Sequence, residues 1–274
     1  MAGEWYESAV PQDAAALRDI DTTVAHPARV YDYWLGGKDN FAADREAAEE
    51  VLRARPAILL NVRSNRAFLA RSVRYLAGEA GMRQFLDIGT GIPSANNTHE
   101  VAQSVAPGAR VVYVDNDPIV LAHARALLTS ESGLTAYIDA DLHDTGTILA
   151  EAARTLDFTR PVAVMLIAVL HLIPDSGDPW AIVSALMRAV PSGSHLVISH
   201  PASDIEARSA TQAAERYNER VASPMRRRSR DEVGRFFGGL DLVEPGLVQL
   251  HQWRPADGDP VAPSSGYAAV ARKP

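Results

Sequence analysis

The chain has 274 residues, of which 47% are hydrophobic and 22% charged, with no cysteine and a formal charge of −7. That composition excludes a disordered chain, a collagen-like repeat and a disulfide scaffold, and the missing thiols remove cysteine nucleophiles, cysteine-based zinc sites and iron–sulfur ligation. The acidic balance disfavours binding to a nucleic-acid backbone or an anionic membrane through the whole surface, and no apolar run approaches the roughly 20 residues that span a bilayer.

In chain order, Met1 to Glu7 carries neither a basic nor an apolar leader region, so a soluble cytoplasmic protein is expected. The first 81 residues read as a helical extension or cap. Residues 40–52 show helical periodicity that Pro56 stops, and a second helix is predicted over 58–77, ahead of Gly78 and Gly81. From residue 82 to 274 the pattern changes to β-rich apolar runs alternating with helical stretches. Strands are predicted at 84–88, 110–114, 134–138, 161–169 and 195–199, and helices at 97–105, 118–128, 145–156 and 179–190. This alternation predicts an α/β fold, a doubly wound parallel sheet with helices on both faces. Two tail strands, 247–253 and 267–272, are joined by a segment too short for a crossover helix. They are expected to pair antiparallel at one sheet edge.

The first of these strands runs into a glycine turn, Phe85-Leu86-Asp87-Ile88-Gly89-Thr90-Gly91. Without a Cβ, Gly89 and Gly91 let the backbone turn tightly and a cofactor lie against it at the carboxyl ends of the strands. A dinucleotide fingerprint would need a third glycine at the sixth position, where Ser94 stands after Pro93. Asp87 would repel a pyrophosphate and attract an ammonium or sulfonium group. Asp115, at the tip of the second strand, can take both ribose hydroxyls, which fits NAD and S-adenosylmethionine alike. Asp141, after the third strand in Asp139-Ala140-Asp141-Leu142-His143, can set a carboxylate against an adenine amino group. Singly, each acid reads as a strand-end cap or turn residue; in register they outline one nucleoside-binding edge.

With Asp87-x-Gly89-x-Gly91, Asp115 and Asp141-Leu142 as its successive motifs, the sequence resembles the class I S-adenosylmethionine-dependent methyltransferases. Longer segments, Arg29-Val30-Tyr31-Asp32-Tyr33-Trp34-Leu35-Gly36-Gly37-Lys38-Asp39-Asn40-Phe41, Tyr113-Val114-Asp115-Asn116-Asp117-Pro118 and Phe236-Phe237-Gly238-Gly239-Leu240, resemble the bacterial S-adenosyl methyltransferases, formerly a domain of unknown function. The likeness spans nearly the whole chain. It implies a Rossmann-like, seven-stranded sheet in the order 3-2-1-4-5-7-6 with an antiparallel edge strand, S-adenosylmethionine as cofactor and S-adenosylhomocysteine as product. It further implies that Asp87, Gly89, Thr90 and Gly91 line the methionyl part, Asp115 the ribose, and Asn116, Asp141 and Leu142 the adenine, with Ala168 near the sulfonium. The reaction implied is an in-line methyl transfer in which positioning is the protein's main task.

His171, after the fourth strand, is the candidate general base, against the reading that it merely orders its loop. No Asn/Asp-Pro-Pro-aromatic segment follows that strand, which argues against methylation of amide or exocyclic base nitrogens. Tyr31, Tyr33, Trp34, Gly36 and Gly37 form a candidate lid whose aromatic faces suit adenine and a sulfonium cation, against the reading that they are helix core with Gly36 as the cap. Arg63, with Asn65 and Arg66 on the next helix, could face the cleft and hold a substrate carboxylate, against a solvated helix face. The run Arg226-Arg227-Arg228-Ser229-Arg230 reads as a solvated loop ahead of a helix capped by Ser229 with Glu232. The histidines show no ligand spacing, so no catalytic metal is expected. The leading expectation is a methyltransferase acting on a small molecule, with no nucleic-acid or membrane partner. A non-catalytic protein that binds the cofactor or its product is the alternative, and an NAD-dependent oxidoreductase the third.

Overall fold

The computed structural model describes residues 21–94, 96–127, 134–205, 224–260 and 262–274, together with 214, 217–219 and 221. Residues 1–20 of the expected extension and residue 128 of the predicted helix 118–128 lie outside them. Three helices open the described chain: α1 (Pro27–Leu35), α2 (Ala42–Ala54) and α3 (Ile58–Gly78). Pro27 pre-sets the first turn of α1, and Gly36, at φ +84°, ends it by returning its N–H to the carbonyls of Asp32 and Tyr33.

Strands and helices then alternate: β1 (Gln84–Ile88), α4 (Thr98–Val105), β2 (Arg110–Asp115), α5 (Pro118–Leu127), β3 (Thr135–Asp139), α6 (Thr145–Ala152), β4 (Ala163–Ile167), α7 (Pro179–Ala189) and β5 (His195–Pro201). The tail adds α8 (Arg230–Gly234), β6 (Asp241–Leu242), β7 (Val248–Gln249) and β8 (Gly266–Arg272). β1 to β5 are parallel, and β8 runs antiparallel to β5, giving the order β3-β2-β1-β4-β5-β8-β6. The seven-stranded expectation holds along this path, and β7, also paired to β8, makes an eighth short strand.

The central strands are buried on both faces, as a parallel sheet requires. Successive residues alternate between two cores: Leu86, Ile88, Val112, Val114 and Leu166 pack on one face, and Phe85, Val111, Tyr113 and Met165 on the other. The second core includes Phe68, Leu69, Val73 and Leu76 of α3. A third cluster joins Val30 and Trp34 of α1 to Ala47, Ala48 and Val51 of α2, Val62 of α3, and Tyr217. Thus α3 belongs both to the sheet layer and to the cap.

Two sequence expectations change here. The predicted strand 247–253 pairs only at Val248–Gln249, after which Leu250–Gln252 turns as a 3-10 helix. Leu250 and Trp253 both enter the core, and a spacing of three suits a 3-10 turn while β alternation would have sent one of them outward. The basic run is not a solvated loop: Arg228 is fully buried and Arg227 nearly so. Arg228 donates to the carbonyls of Leu170 and Ile173 and to the Asp175 carboxylate, and its guanidinium lies 5.1 Å from the Trp180 ring centroid. The capping box of Ser229 and Glu232 is present at the start of α8.

Candidate functional site

A cleft of about 230 Å³ opens at the carboxyl ends of β1, β2, β3 and β4, with α1 and α3 along its other side. β1 delivers Asp87 and then turns sharply. Gly89 (φ +75°) donates its N–H to the Val114 carbonyl, and a Cβ there would stand 2.4 Å from Val169 Cγ2. At Gly91 (φ +68°) a Cβ would meet nothing within 4 Å, so the chain there borders open space in the cleft. Glycine is required sterically at the first position and by backbone conformation at the second.

β2 delivers Asp115, whose carboxylate accepts from the backbone N–H groups of Gly91 (2.8 Å), Asn116 (2.9 Å) and Asp117 (3.0 Å). It thereby pins the glycine turn to the tip of the second strand, and its oxygens retain lone pairs for further donors. After β3, Asp141 accepts from the His143 N–H (2.8 Å) and the Asn116 side-chain amide (3.3 Å), joining two strand tips at the cleft mouth. Leu142 is buried beside them. β4 ends in Ala168, a non-glycine residue at φ +53°.

A chain of hydrogen bonds fixes Ala168 to the cap. Its N–H donates to Ser199 Oγ (3.0 Å), which donates to Asn65 Oδ1 (2.5 Å), and the Asn65 amide donates to the Tyr31 hydroxyl (2.9 Å). α1 is tied to the second strand separately: His26 Nδ1 lies 2.8 Å from the Asp117 carboxylate. Burial would raise Asp117, but His26 and the Ile119 N–H outweigh it and hold the group below its usual range.

The two innermost acids behave differently. Burial pushes Asp87 up to about 6, although the Thr98 hydroxyl donates to it at 2.6 Å and the Arg66 charge opposes the rise. Burial also raises Asp115, against the N–H groups of Asp117 and Gly91. Burial and then the Arg228 charge drive His171 down to about 4, so its imidazole is neutral at pH 7. Its neighbour His200 is also held well below its usual value, first by burial.

Every residue that the resemblance assigned to the cofactor lines this cleft: Asp87, Gly89, Thr90, Gly91, Asp115, Asn116, Asp141, Leu142 and Ala168. His171, Tyr31 and Trp34 line it too, as do Asn65 and Arg66. The other candidate lid residues lie elsewhere. The Tyr33 hydroxyl donates to Glu49 (2.5 Å), Gly36 caps α1, and a Cβ at Gly37 would collide with the Asp32 carboxylate. Arg63 is exposed on α3 and is not among the lining residues. His26 reaches the cleft without any sequence signal, because its contact with the second strand's tip is purely tertiary, and Asp32, from the segment that carries the resemblance, lines the cleft without having been singled out. Among the described residues, no cluster of three or more histidine or acidic side chains is arranged to hold a metal ion, and no helix is long and apolar enough to cross a membrane.

These features fit S-adenosylmethionine. Two desolvated carboxylates, one raised to about 6, gain from a cationic group, and the space at Gly91 lets a ligand approach the backbone. A family model described as S-adenosyl methyltransferase matches residues 13–274, and the chain belongs to that family, whose cofactor is S-adenosylmethionine. Among solved structures it is similar to a DUF574 family protein from Streptomyces avermitilis, 49% identical over 93% of this chain and 99% of that one, with a TM-score of 0.88. A protein from Thermobifida fusca is 42% identical over 92% of this chain and 96% of that one, with a TM-score of 0.86. Human N-acetylserotonin methyltransferase in complex with S-adenosylmethionine is 14% identical over 95% of this chain and 65% of that one, with a TM-score of 0.51, a likeness of fold alone. No curated protein matches the chain.

Proposed function

We propose that this chain is an active methyltransferase that transfers a methyl group from S-adenosylmethionine to a small molecule. The observation that carries the reading is the convergence of Asp87, Asp115 and Asp141 with the Gly89–Gly91 turn on one cleft. In this reading Asp115 accepts from the ribose hydroxyls, Asn116, Asp141 and Leu142 hold the adenine, and Asp87 with Gly89, Thr90 and Gly91 holds the methionyl end. When bound, the cofactor supplies a methyl group on a positively charged sulfur, a good leaving group, so the protein's work is alignment and exclusion of water. Ala168 closes the floor beside that sulfur, held by Ser199 and Asn65. The cleft, about 230 Å³, is a concave space with a few convergent polar groups, which supports a small molecule as acceptor.

The test is titration calorimetry of the full chain with S-adenosylmethionine, S-adenosylhomocysteine and NAD in separate runs. The first two should bind and NAD should not. Asp115→Ala should weaken both by about tenfold or more, the loss of a charge-assisted hydrogen-bond acceptor. NAD binding alone, or unchanged affinity in Asp115→Ala, would overturn the assignment.

A further inference from the structure

We propose that a chamber adjoining the cleft is the acceptor site and that it takes a single aromatic ring carrying one hydroxyl, whose oxygen meets His171. This inference rests on the methyl-transfer reading above. The chamber measures about 110 Å³, and its apolar wall is built by Tyr31, Trp34, Ile58, Val62, Tyr217 and Met225. Of these, Tyr31, Trp34, Tyr217 and Met225 line the cleft as well, as do Asn65, Ala168 and His171 of the chamber, so the two spaces adjoin along this side, beside the end of β4. An apolar cavity of about 150 Å³ accepts benzene. This chamber is smaller than that, so it holds at most one ring, with the hydroxyl edge reaching the cleft at the shared opening, and a fused pair exceeds it.

The chemistry at the junction is set by His171. Its Nδ1 is buried without a hydrogen-bond partner, whereas both ring nitrogens of the neighbouring His200 are engaged, by the Pro201 carbonyl (3.0 Å) and by Arg228 (3.0 Å). Since Nδ1 is sealed and the ring lines both spaces, the edge carrying Nε2 is the one a ligand can reach. Burial and Arg228 keep the imidazole neutral, and in the tautomer with its hydrogen on Nδ1 the Nε2 lone pair is free to accept a hydroxyl proton. An amine acceptor would enter as a cation, into the field of the Arg228 charge that already disfavours protonation of His171. Arg55 and Arg227 also reach the chamber wall, but their guanidinium groups are engaged, by the Ser265 hydroxyl and by the Ala202 carbonyl respectively. As the acceptor oxygen takes the methyl carbon, its proton passes to Nε2 and the carbon–sulfur bonding pair stays on sulfur as a neutral thioether. The positive charge lost at sulfur reappears on the imidazole, and the net charge of the site is unchanged.

The experiment uses the full chain with p-cresol as probe, and naphthol, benzylamine and benzoate for comparison. Ring binding is measured by calorimetry on protein saturated with S-adenosylhomocysteine, and transfer from S-adenosylmethionine by mass spectrometry of the methyl ether. We expect p-cresol to bind about tenfold or more tightly than the other three and to be methylated. Ile58→Trp, which fills the chamber from outside the cleft, should weaken p-cresol about tenfold while S-adenosylhomocysteine stays within about twofold, and Val62→Phe is the second such variant should the first not fold. His171→Gln should retain ring binding and lose about a hundredfold in transfer, and at saturating S-adenosylmethionine wild-type transfer should fall only as pH approaches about 4. Equal binding of naphthol, preference for benzylamine or benzoate, p-cresol bound but not methylated, or p-cresol binding unchanged in the chamber-filling variants would each overturn the chamber assignment, while product binding leaves the methyl-transfer reading standing. Absence of S-adenosylhomocysteine binding would overturn that reading itself, and this one with it.

Discussion

Asp87 is a carboxylate placed at a cost to the fold. Its pKa is raised from 3.8 to about 6, chiefly by burial, so the folded state holds its proton more tightly than the unfolded state does. The stability this contributes is fully present below the unfolded pKa and is lost as pH rises through about 6. Asp87→Asn keeps an acceptor for Thr98 and removes the desolvated charge. It should therefore raise unfolding stability at pH 8 by about 2–3 kcal/mol in a denaturant titration while weakening S-adenosylmethionine at least about tenfold. In the wild type, affinity should be flat above pH 7 and decline below about 6, because the free protein must then release a proton to bind the cation. Calorimetry in two buffers of different ionisation heat would reveal that proton. An Asp87→Asn variant that is less stable and binds as well would show that the carboxylate serves packing. The position of this acid, two residues before the first glycine, is legible in the sequence; its desolvation is not, since Thr98, eleven residues on, seals it. The same holds for the polar residues of α3: the sequence marks Arg63, Asn65 and Arg66, but only the packed helix decides that Asn65 faces inward and Arg63 outward.

Among the elements, α3 grips the tail with Arg71, while its Asn61 Oδ1 accepts from the Ser265 N–H (2.9 Å). Arg71 donates from Nε to the Trp253 carbonyl (2.8 Å), from Nη2 to the Leu250 carbonyl (2.7 Å) and from Nη1 to the Asp259 carboxylate (2.5 Å). The Trp253 ring in turn packs edge-on against Phe68 and Tyr75 of α3. Arg71→Leu would leave two buried carbonyls unpaired and should cost about 2–4 kcal/mol, read as a lowered thermal midpoint. Asp259→Asn, at a partly exposed position that can still accept, should cost about 1 kcal/mol or less. Equal effects would mean that the ion pair, and not the carbonyl clamp, holds the tail. Element types and most boundaries were readable because apolar period and β-branched runs are local properties. The predicted strand at 247–253 fails for a tertiary reason: the Arg71 clamp takes the Leu250 and Trp253 carbonyls that a strand would have offered to a neighbour. Arg228 defeats a composition reading in the same way, since a four-arginine run looks solvated until the carbonyls of Leu170 and Ile173 and the ring of Trp180 are brought around it.

For the molecule as a whole, the sequence changes character at residue 82, from helical to alternating, and that suggests a cap followed by a separate domain. The cores divide differently. Phe68, Leu69, Val73 and Leu76 of α3 lie in one cluster with Phe85, Val111, Tyr113 and Met165 of the sheet, whereas α1 and α2 pack with Val62 and Tyr217 in another. Residues 82–274 alone would expose one face of a sheet that is apolar on both. Burial of four large apolar side chains is worth about 1.5–3 kcal/mol each, a sum of the same order as the roughly 5–15 kcal/mol that stabilises a whole domain. A fragment that starts at residue 82 should therefore lack a cooperative thermal transition. A fragment that starts at residue 56 retains α3, loses only the cap cluster, and should melt cooperatively at a lower temperature. It should also bind S-adenosylhomocysteine more weakly than the full chain, because His26, Tyr31 and Trp34 line the cleft and are gone. Cooperative melting of both fragments, followed by near-ultraviolet circular dichroism, would instead establish two separable units. Failure of both would mean that the Tyr31, Asn65 and Ser199 hydrogen bonds make the cap part of the folding unit as well as of the site.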